Sequence, residues 1–276
     1  MKIGFIDYFL DEWHANHYPE WIHQASNGEM TVCYAYADID SPFGGKTTAE
    51  WCAAYGVEQC KTIEELVEKS DCIVVLSPDN CEQHERLCQI PLHSGKRCYV
   101  DKTFAPDLET AQRIFEMAES SSTPCYSSSA LRFADEYADI DRSGITAVSC
   151  MGAGGLDTYG IHQIEPLTML MGADVKRVMY VPSENWYTLI LDYADGRKAT
   201  VTGFMNGCPF VTVINTNGEN RYIEVKSDFF QNFIAQLVDF FRTGEEKVSH
   251  ADTLAVMKLR QLGMRAAQQP GQWLEV

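Results

Sequence analysis

The sequence has no run of about 18 apolar residues, so no membrane-spanning helix is expected. It is short of basic residues, with 22 Lys and Arg against 39 Asp and Glu and a net charge of −17. A field of that sign repels nucleic acid and anionic membrane surfaces, and neither is expected as a partner. None of the ten cysteines forms a CxxC pair. The first residues, MKIGFIDYF, lack the basic region and cleavage site of a secretory leader, so a cytoplasmic location and reduced, mostly buried thiols are expected. No GxSxG elbow is present. His84-Glu85 is followed by Cys88 where a zinc protease motif needs a second histidine. His162 and Glu165 share a helical spacing, but no second ligand pair accompanies them. His14, His17 and His23, beside Trp13 and Trp21, read as solvated or capping residues. No metal is expected.

What is present is an ordinary globular composition, 45% hydrophobic and 22% charged, in a length that suits two domains. The first half alternates short apolar runs with helical stretches. Ile3–Ile6, Thr31–Tyr36, Cys72–Leu76, Arg97–Val100 and Cys125–Ser127 are apolar on both faces, as buried parallel strands are. Thr62 and Glu65 form a capping box ahead of IEELVEKS. Leu108, Ala111, Ile114, Phe115 and Ala118 recur at helical spacing. This alternation predicts an α/β fold with a Rossmann-like doubly wound parallel sheet over residues 1–127.

From Gly144 to Val225 the pattern becomes strand-like, with turn signals at Asp195-Gly196, Asn206-Gly207 and Asn217-Gly218. One helix interrupts it around Gly160–Met171. Two apolar helical stripes follow, one from Phe229 to Phe241 and one from Leu254 to Met264. Residues 128–276 are therefore expected to form an α+β domain with a mainly antiparallel, open sheet arranged as a meander.

The informative segment is SPDNCEQHERLCQIPLHSGKRCYVDKTFA, residues 77–105. A strand ends at Ser77-Pro78, His84 follows, then Gly95-Lys96, a strand, and Asp101-Lys102-Thr103. Ala37-Asp38 closes the second strand, Leu131-Arg132-Phe133 follows the first domain, and Gly154-Gly155 precedes Gly160-Ile161-His162. In this order and spacing the chain resembles the Gfo/Idh/MocA family of glucose–fructose oxidoreductases and inositol dehydrogenases.

The resemblance implies an NAD(P)-dependent oxidoreductase acting by hydride transfer on a sugar, cyclitol or related polyol. Such a reaction also moves a proton on or off the substrate oxygen, which a positioned lysine or histidine can carry. On the family's pattern Lys102 and His162 take that role from opposite sides of one interdomain cleft, and Tyr159 is a candidate assistant. The cofactor-binding candidates carried over are Asp7, Tyr8, Phe9, His14, Asp38, Ser77, Pro78, His84, Asp101, Lys102 and Arg132. Asp38, placed for ribose hydroxyls, favours NAD over NADP.

The first turn departs from that pattern. A dinucleotide fingerprint uses GxGxxG so that the backbone can approach the pyrophosphate. Here GFIDYFLDEWHAN offers no glycine after Gly4. It brings Asp7, Asp11 and Glu12 towards the phosphates, with Tyr8 and Phe9 as bulk. Thr103 replaces a proline beside Lys102, and Thr158 stands where an aspartate precedes the histidine. Two alternatives therefore accompany the oxidoreductase: a non-catalytic binding or regulatory relative, and an enzyme using the nicotinamide as some glycosidases do. The second sheet's open face, with Phe204, Met205, Phe210, Val211 and Val213 as apolar candidates, predicts a homodimer or homotetramer.

Overall fold

The computed structural model describes residues 1–276. By its contacts the chain divides into two compact units, Met1–Ser128 with Phe233–His250, and Ser129–Asn232 with Ala251–Val276.

The first unit is a six-stranded parallel sheet. Its strands are β1 (Lys2–Asp7), β2 (Thr31–Ala37), β3 (Glu58–Gln59), β4 (Cys72–Val75), β5 (Cys98–Val100) and β6 (Cys125–Tyr126). They lie in the order β3-β2-β1-β4-β5-β6, the doubly wound arrangement expected. The connecting helices are α1 (Trp13–Ala25), α2 (Thr48–Tyr55), α3 (Ile63–Lys69), α4 (His84–Leu87) and α5 (Leu108–Ser120). The order reverses between β1 and β4, so the ends of these two strands flank the crevice where such sheets take ligands.

The caps follow local chemistry. Thr62 Oγ1 accepts from Glu65 N at 3.2 Å, while the Glu65 carboxylate reaches back to Lys61 N at 2.9 Å, one residue earlier than a full capping box. The complete box lies at Thr47 and Glu50, ahead of α2.

Residues 233–250 were expected in the second domain, but they pack on the first sheet. Phe233 meets Tyr18 and Tyr99, Phe240 meets Tyr126, and Arg97 Nη1 donates to the Phe241 carbonyl at 2.7 Å. The apolar stripe fixes that this helix is buried; it does not say on which sheet.

The second unit is built on a seven-stranded mixed sheet. Its strands are β7 (Ile145–Ala153), β8 (Val175–Pro182), β9 (Trp186–Tyr193), β10 (Lys198–Phe204), β11 (Val211–Thr216), β12 (Asn220–Glu224) and β13 (Trp273–Glu275). The helices are α6 (Gly160–Met171), α7 (Phe229–Thr243), which spans the division between units, and α8 (His250–Ala266). The strand order is β12-β11-β7-β10-β9-β8-β13, so the simple meander is corrected. β7 inserts between β10 and β11, parallel to β10 and antiparallel to β11. Asp195-Gly196 and Asn217-Gly218 turn true hairpins; Asn206-Gly207 only begins the crossing over β7.

Helix α6 packs on β7 and β10, against Ala199, Val201 and Gly203, which are buried. On the other face cross-strand pairing aligns Ser149 with Thr200 and Val213, and Met151 with Thr202 and Val211. Phe210 lies instead on the helix side, where it would meet a Cβ at Gly152 at 2.6 Å.

All ten cysteines are free thiols. No helix is long and apolar enough to cross a membrane, and no group of three or more His, Cys, Asp or Glu residues is placed to hold a metal ion.

Candidate functional site

In the first unit, β1 ends at Asp7 and α1 begins after Glu12. Glutamate is outside the favoured N-cap set of Ser, Thr, Asp and Asn. Its longer side chain here curls over the helix end and uses both oxygens. Oε2 accepts from His14 N at 2.7 Å and Oε1 from Ala15 N. These are donors that a helix start otherwise offers to an anion. The side chain is 8% exposed. Burial, and then the charge of Asp7, push its carboxyl up to about 8.

Asp7 is fully buried at the same place. Its Oδ1 accepts from Tyr8 N at 2.7 Å and from Ser77 Oγ at 2.9 Å. Ser77 follows β4, so this contact bridges the two strand ends at the switch point. Leu76 N donates to the Ile6 carbonyl at 2.8 Å beside it. Burial pushes the Asp7 carboxyl up to about 8, against the opposing hydrogen bonds from Ser77, Tyr8 and Phe9. Phe9 and Leu10 are buried in the turn. Asp11, grouped with these acids in the sequence, points elsewhere: it accepts from Lys46 N at 2.7 Å and Asn16 Nδ2 at 3.0 Å.

A third acid, Asp101, follows β5. His14 Nδ1 lies 2.7 Å from its Oδ2, and Tyr99 Oη donates to its Oδ1 at 3.0 Å. Burial alone would raise the Asp101 carboxyl. Its pairing with His14, with Lys102 alongside, outweighs that and holds it at about 2. Lys102 is half-buried directly after it, and the Lys102–Thr103 peptide is cis.

The remaining first-unit candidates divide in role. Asp38 ends just past β2, where Tyr36 Oη donates to its Oδ1 at 2.9 Å and Arg86 grips both its oxygens. Pro78 is buried beside Ser77. His84 is wholly buried, its Nδ1 3.0 Å from the Phe104 carbonyl and its Nε2 on the Leu76 carbonyl. It ties the end of β4 to the segment after β5.

In the second unit, β7 runs into Gly154-Gly155. Gly154 has φ +84°, and a Cβ there would lie 2.4 Å from the Cβ of Tyr159, so only glycine suits the turn. Tyr159 N and Gly160 N both donate to the Gly155 carbonyl at 2.9 Å, which starts α6. His162 is in its first turn, half-buried, with Nδ1 2.7 Å from Ser129 Oγ. Tyr159, 48% exposed as a residue, stands its ring edge-on 5.5 Å away, and Phe210 lies 5.9 Å away. One turn further on, buried Glu165 accepts from Arg132 Nη1 at 3.2 Å, and Arg132 Nη2 donates to Asp252 at 2.8 Å. Arg132 is thus spent within the second unit. Ser129 and Glu165 carry no motif of their own; their signal is only the spacing of Glu165 from His162 on one helix.

The carried-over candidates therefore fall into two groups, one in each unit. The first gathers Asp7, Tyr8, His14, Ser77 and Asp101 near the switch point. The second gathers Tyr159 and His162. The first group does not fit a dinucleotide in the ordinary Rossmann pose. The two amides that would receive a phosphate already hold a carboxylate. An ionised Glu12 about 4 Å from a phosphate would cost about 4 kcal/mol at an effective dielectric near 20, whereas a helix N-terminus returns about 0.3–2 kcal/mol. If Glu12 is protonated the repulsion falls, but the volume and both N–H groups remain taken.

Residues 15–128 match the model of the Gfo/Idh/MocA family, described as an oxidoreductase family with an NAD-binding Rossmann fold. The match begins just after the divergent turn. No curated protein matches the sequence. Among solved structures, the chain is similar to myo-inositol 2-dehydrogenase from Lactobacillus plantarum, at 14% identity over 100% of this chain and 99% of that one, with a TM-score of 0.80. It is similar to GenD2 from gentamicin A biosynthesis, solved in complex with NAD, at 14% identity over 100% and 96%, with a TM-score of 0.79. Apo scyllo-inositol dehydrogenase from Lactobacillus casei gives 14% identity over 99% and 97%, with a TM-score of 0.77. At such identities the likeness is one of fold. Residues 15–128 thus match the NAD-binding Rossmann domain of the Gfo/Idh/MocA oxidoreductase family.

Proposed function

We propose that this chain takes a sugar, cyclitol or related polyol as its ligand, and that His162 exchanges a proton with a ligand hydroxyl. The observation that carries this is the setting of His162: the first turn of α6, its Nδ1 anchored 2.7 Å from Ser129 Oγ, beside the exposed Tyr159. An imidazole held at one nitrogen and partly open to solvent is suited to general acid–base work. Solved neighbours named as inositol dehydrogenases support the ligand class.

Two readings of the chemistry follow. In the first, the chain is an NAD(P)-dependent oxidoreductase, with Lys102 as a second proton-transfer group, Tyr159 assisting, and NAD favoured through Asp38. The second is a binding or regulatory relative that dispenses with the dinucleotide, and Glu12 on the amides of α1 favours it. The residues at that helix end do not fit the cofactor in its ordinary pose, with Glu12 on the His14 and Ala15 amides. Assembly as a homodimer or homotetramer through the outer face of the second sheet goes with either reading.

The test is a thermal-shift and calorimetric panel of inositols, aldoses and alditols, alone and with each nicotinamide nucleotide. Saturable stabilisation by a polyol that His162→Ala weakens by about tenfold or more, about 1.4 kcal/mol, is expected. A polyol that binds His162→Ala as well as wild type contradicts the role of His162. Turnover with an added nucleotide would select the first reading over the second.

A further inference from the structure

The acids at the head of α1 form a closed arrangement that the polyol reading does not use. Three elements meet there: the end of β1 with the turn after it, the segment after β4, and the residue after β5. Each contributes a group. Glu12 covers the His14 and Ala15 amides. Asp7 joins Ser77 across the ends of β1 and β4. His14, whose amide Glu12 covers, turns its ring to Asp101 at 2.7 Å.

We propose that the Glu12 carboxyl group stands in for a ligand phosphate at the N-terminus of α1, so that the switch-point crevice is closed from within by Glu12 and by the Asp7–Ser77 contact. Three observations bear this out independently. A single carboxylate takes two successive helix amides, one on each oxygen, as a phosphate oxygen pair would. The acid is 8% exposed, so it is seated in the unit and does not trail in solvent. The flanking turn is filled by Phe9 and Leu10, which are 7% and 1% exposed, where a phosphate-binding turn leaves glycine clearance. The displaced charge is handled locally: burial drives Asp7 and Glu12 towards their neutral forms, and the lasting negative charge sits on Asp101 beside His14.

One consequence is specific to Glu12. Removing its carboxylate while keeping a short cap uncovers an anion site on α1. Glu12→Ser does this, since serine keeps the helix start but its uncharged hydroxyl takes at most one of the two amides. This inference concerns the first unit and shares no ligand with the polyol proposal. Loss of polyol binding would leave it standing, and its failure would leave His162 untouched.

The experiment titrates wild type and Glu12→Ser with inorganic pyrophosphate and with NADH, by calorimetry and by 15N amide shifts. For wild type, the His14 and Ala15 amides are expected to follow the titration of Glu12 with pH and to stay unmoved by either ligand at about 1 mM, whereas Glu12→Ser binds both at least about tenfold more tightly. Saturable movement of those two wild-type amides on adding NADH overturns the proposal. So does an equal response of the two proteins, whether both bind or neither does. The wild-type amide measurement decides the matter even if the variant does not fold.

Discussion

His14 Nδ1 lies 2.7 Å from the Asp101 carboxylate, and through that contact the first helix is tied to the end of β5. Both side chains are less than 10% exposed. Removing one partner of such a pair strands the other in a medium that cannot solvate it. His14→Ala is expected to destabilise the protein by about 3–5 kcal/mol in denaturant titration. Asp101→Asn, which keeps an acceptor for Tyr99, should cost less. The pair also sets an acid limb. The Asp101 carboxyl is held at about 2, below its unfolded value near 4, so its contribution is present above about pH 4 and is lost as pH falls towards 2. His14→Ala should flatten that limb; an unchanged acid profile would refute the assignment.

Glu12 and Asp7 act in the opposite sense. Both carboxyls are raised to about 8 by burial. A group raised on folding contributes fully below its unfolded value and loses that contribution as pH climbs through the folded value. Wild type should therefore melt at a lower temperature at pH 9 than at pH 6. Glu12→Gln should reduce the difference, because an amide keeps an acceptor on the helix end and has no proton to lose. Melting curves across pH 5–9 check this.

His250 predicts a second alkaline loss with a different owner. Its ring stacks on Phe115 at 3.9 Å and faces Glu119 at 2.9 Å and Glu246 at 3.5 Å. Burial alone would lower the imidazole, but these acids, with the Cys125 carbonyl, raise it to about 9. Its stabilising effect is complete below about pH 6.5 and fades as pH passes 9. His250→Gln should remove this part of the alkaline slope and leave the part due to Glu12. Imidazole shifts followed by NMR locate the titration directly.

Arg132 is expected to be a stability residue of the second unit. Its guanidinium is 12% exposed and meets Glu165, 4% exposed, and Asp252. Arg132→Met removes the guanidinium from a buried carboxylate, with an expected loss of about 3–5 kcal/mol. Arg132→Lys should recover little, because one ammonium cannot span both carboxylates as the fork does. If Arg132→Met instead leaves stability intact and weakens a nucleotide ligand, a binding role for Arg132 is favoured over the structural one.

Much of this architecture was legible in the residues. Ile3–Ile6 and Cys72–Leu76 are apolar on both faces, and only a covered parallel sheet buries such runs. The α6 limits were readable because Gly-Gly before it and Gly172 after it break the backbone pattern. Glu58–Gln59 was not readable as a strand: two exposed polar residues carry no periodicity, and pairing with β2 alone defines them. The insertion of β7 between β10 and β11 is a non-local choice that hairpin signals do not encode. At the candidate site, the sequence marks Asp7, Asp11 and Glu12 alike as acids. Their separation into a bridge, an acceptor for the Lys46 amide and a helix cap depends on side-chain directions that only the folded turn supplies.

The claim that Glu12 fills the phosphate position of α1 meets its most direct test in one titration. Wild-type protein at pH 7 is titrated with NADH in a calorimeter. The account predicts no saturable heat up to about 1 mM NADH, and saturable binding within that range would contradict it.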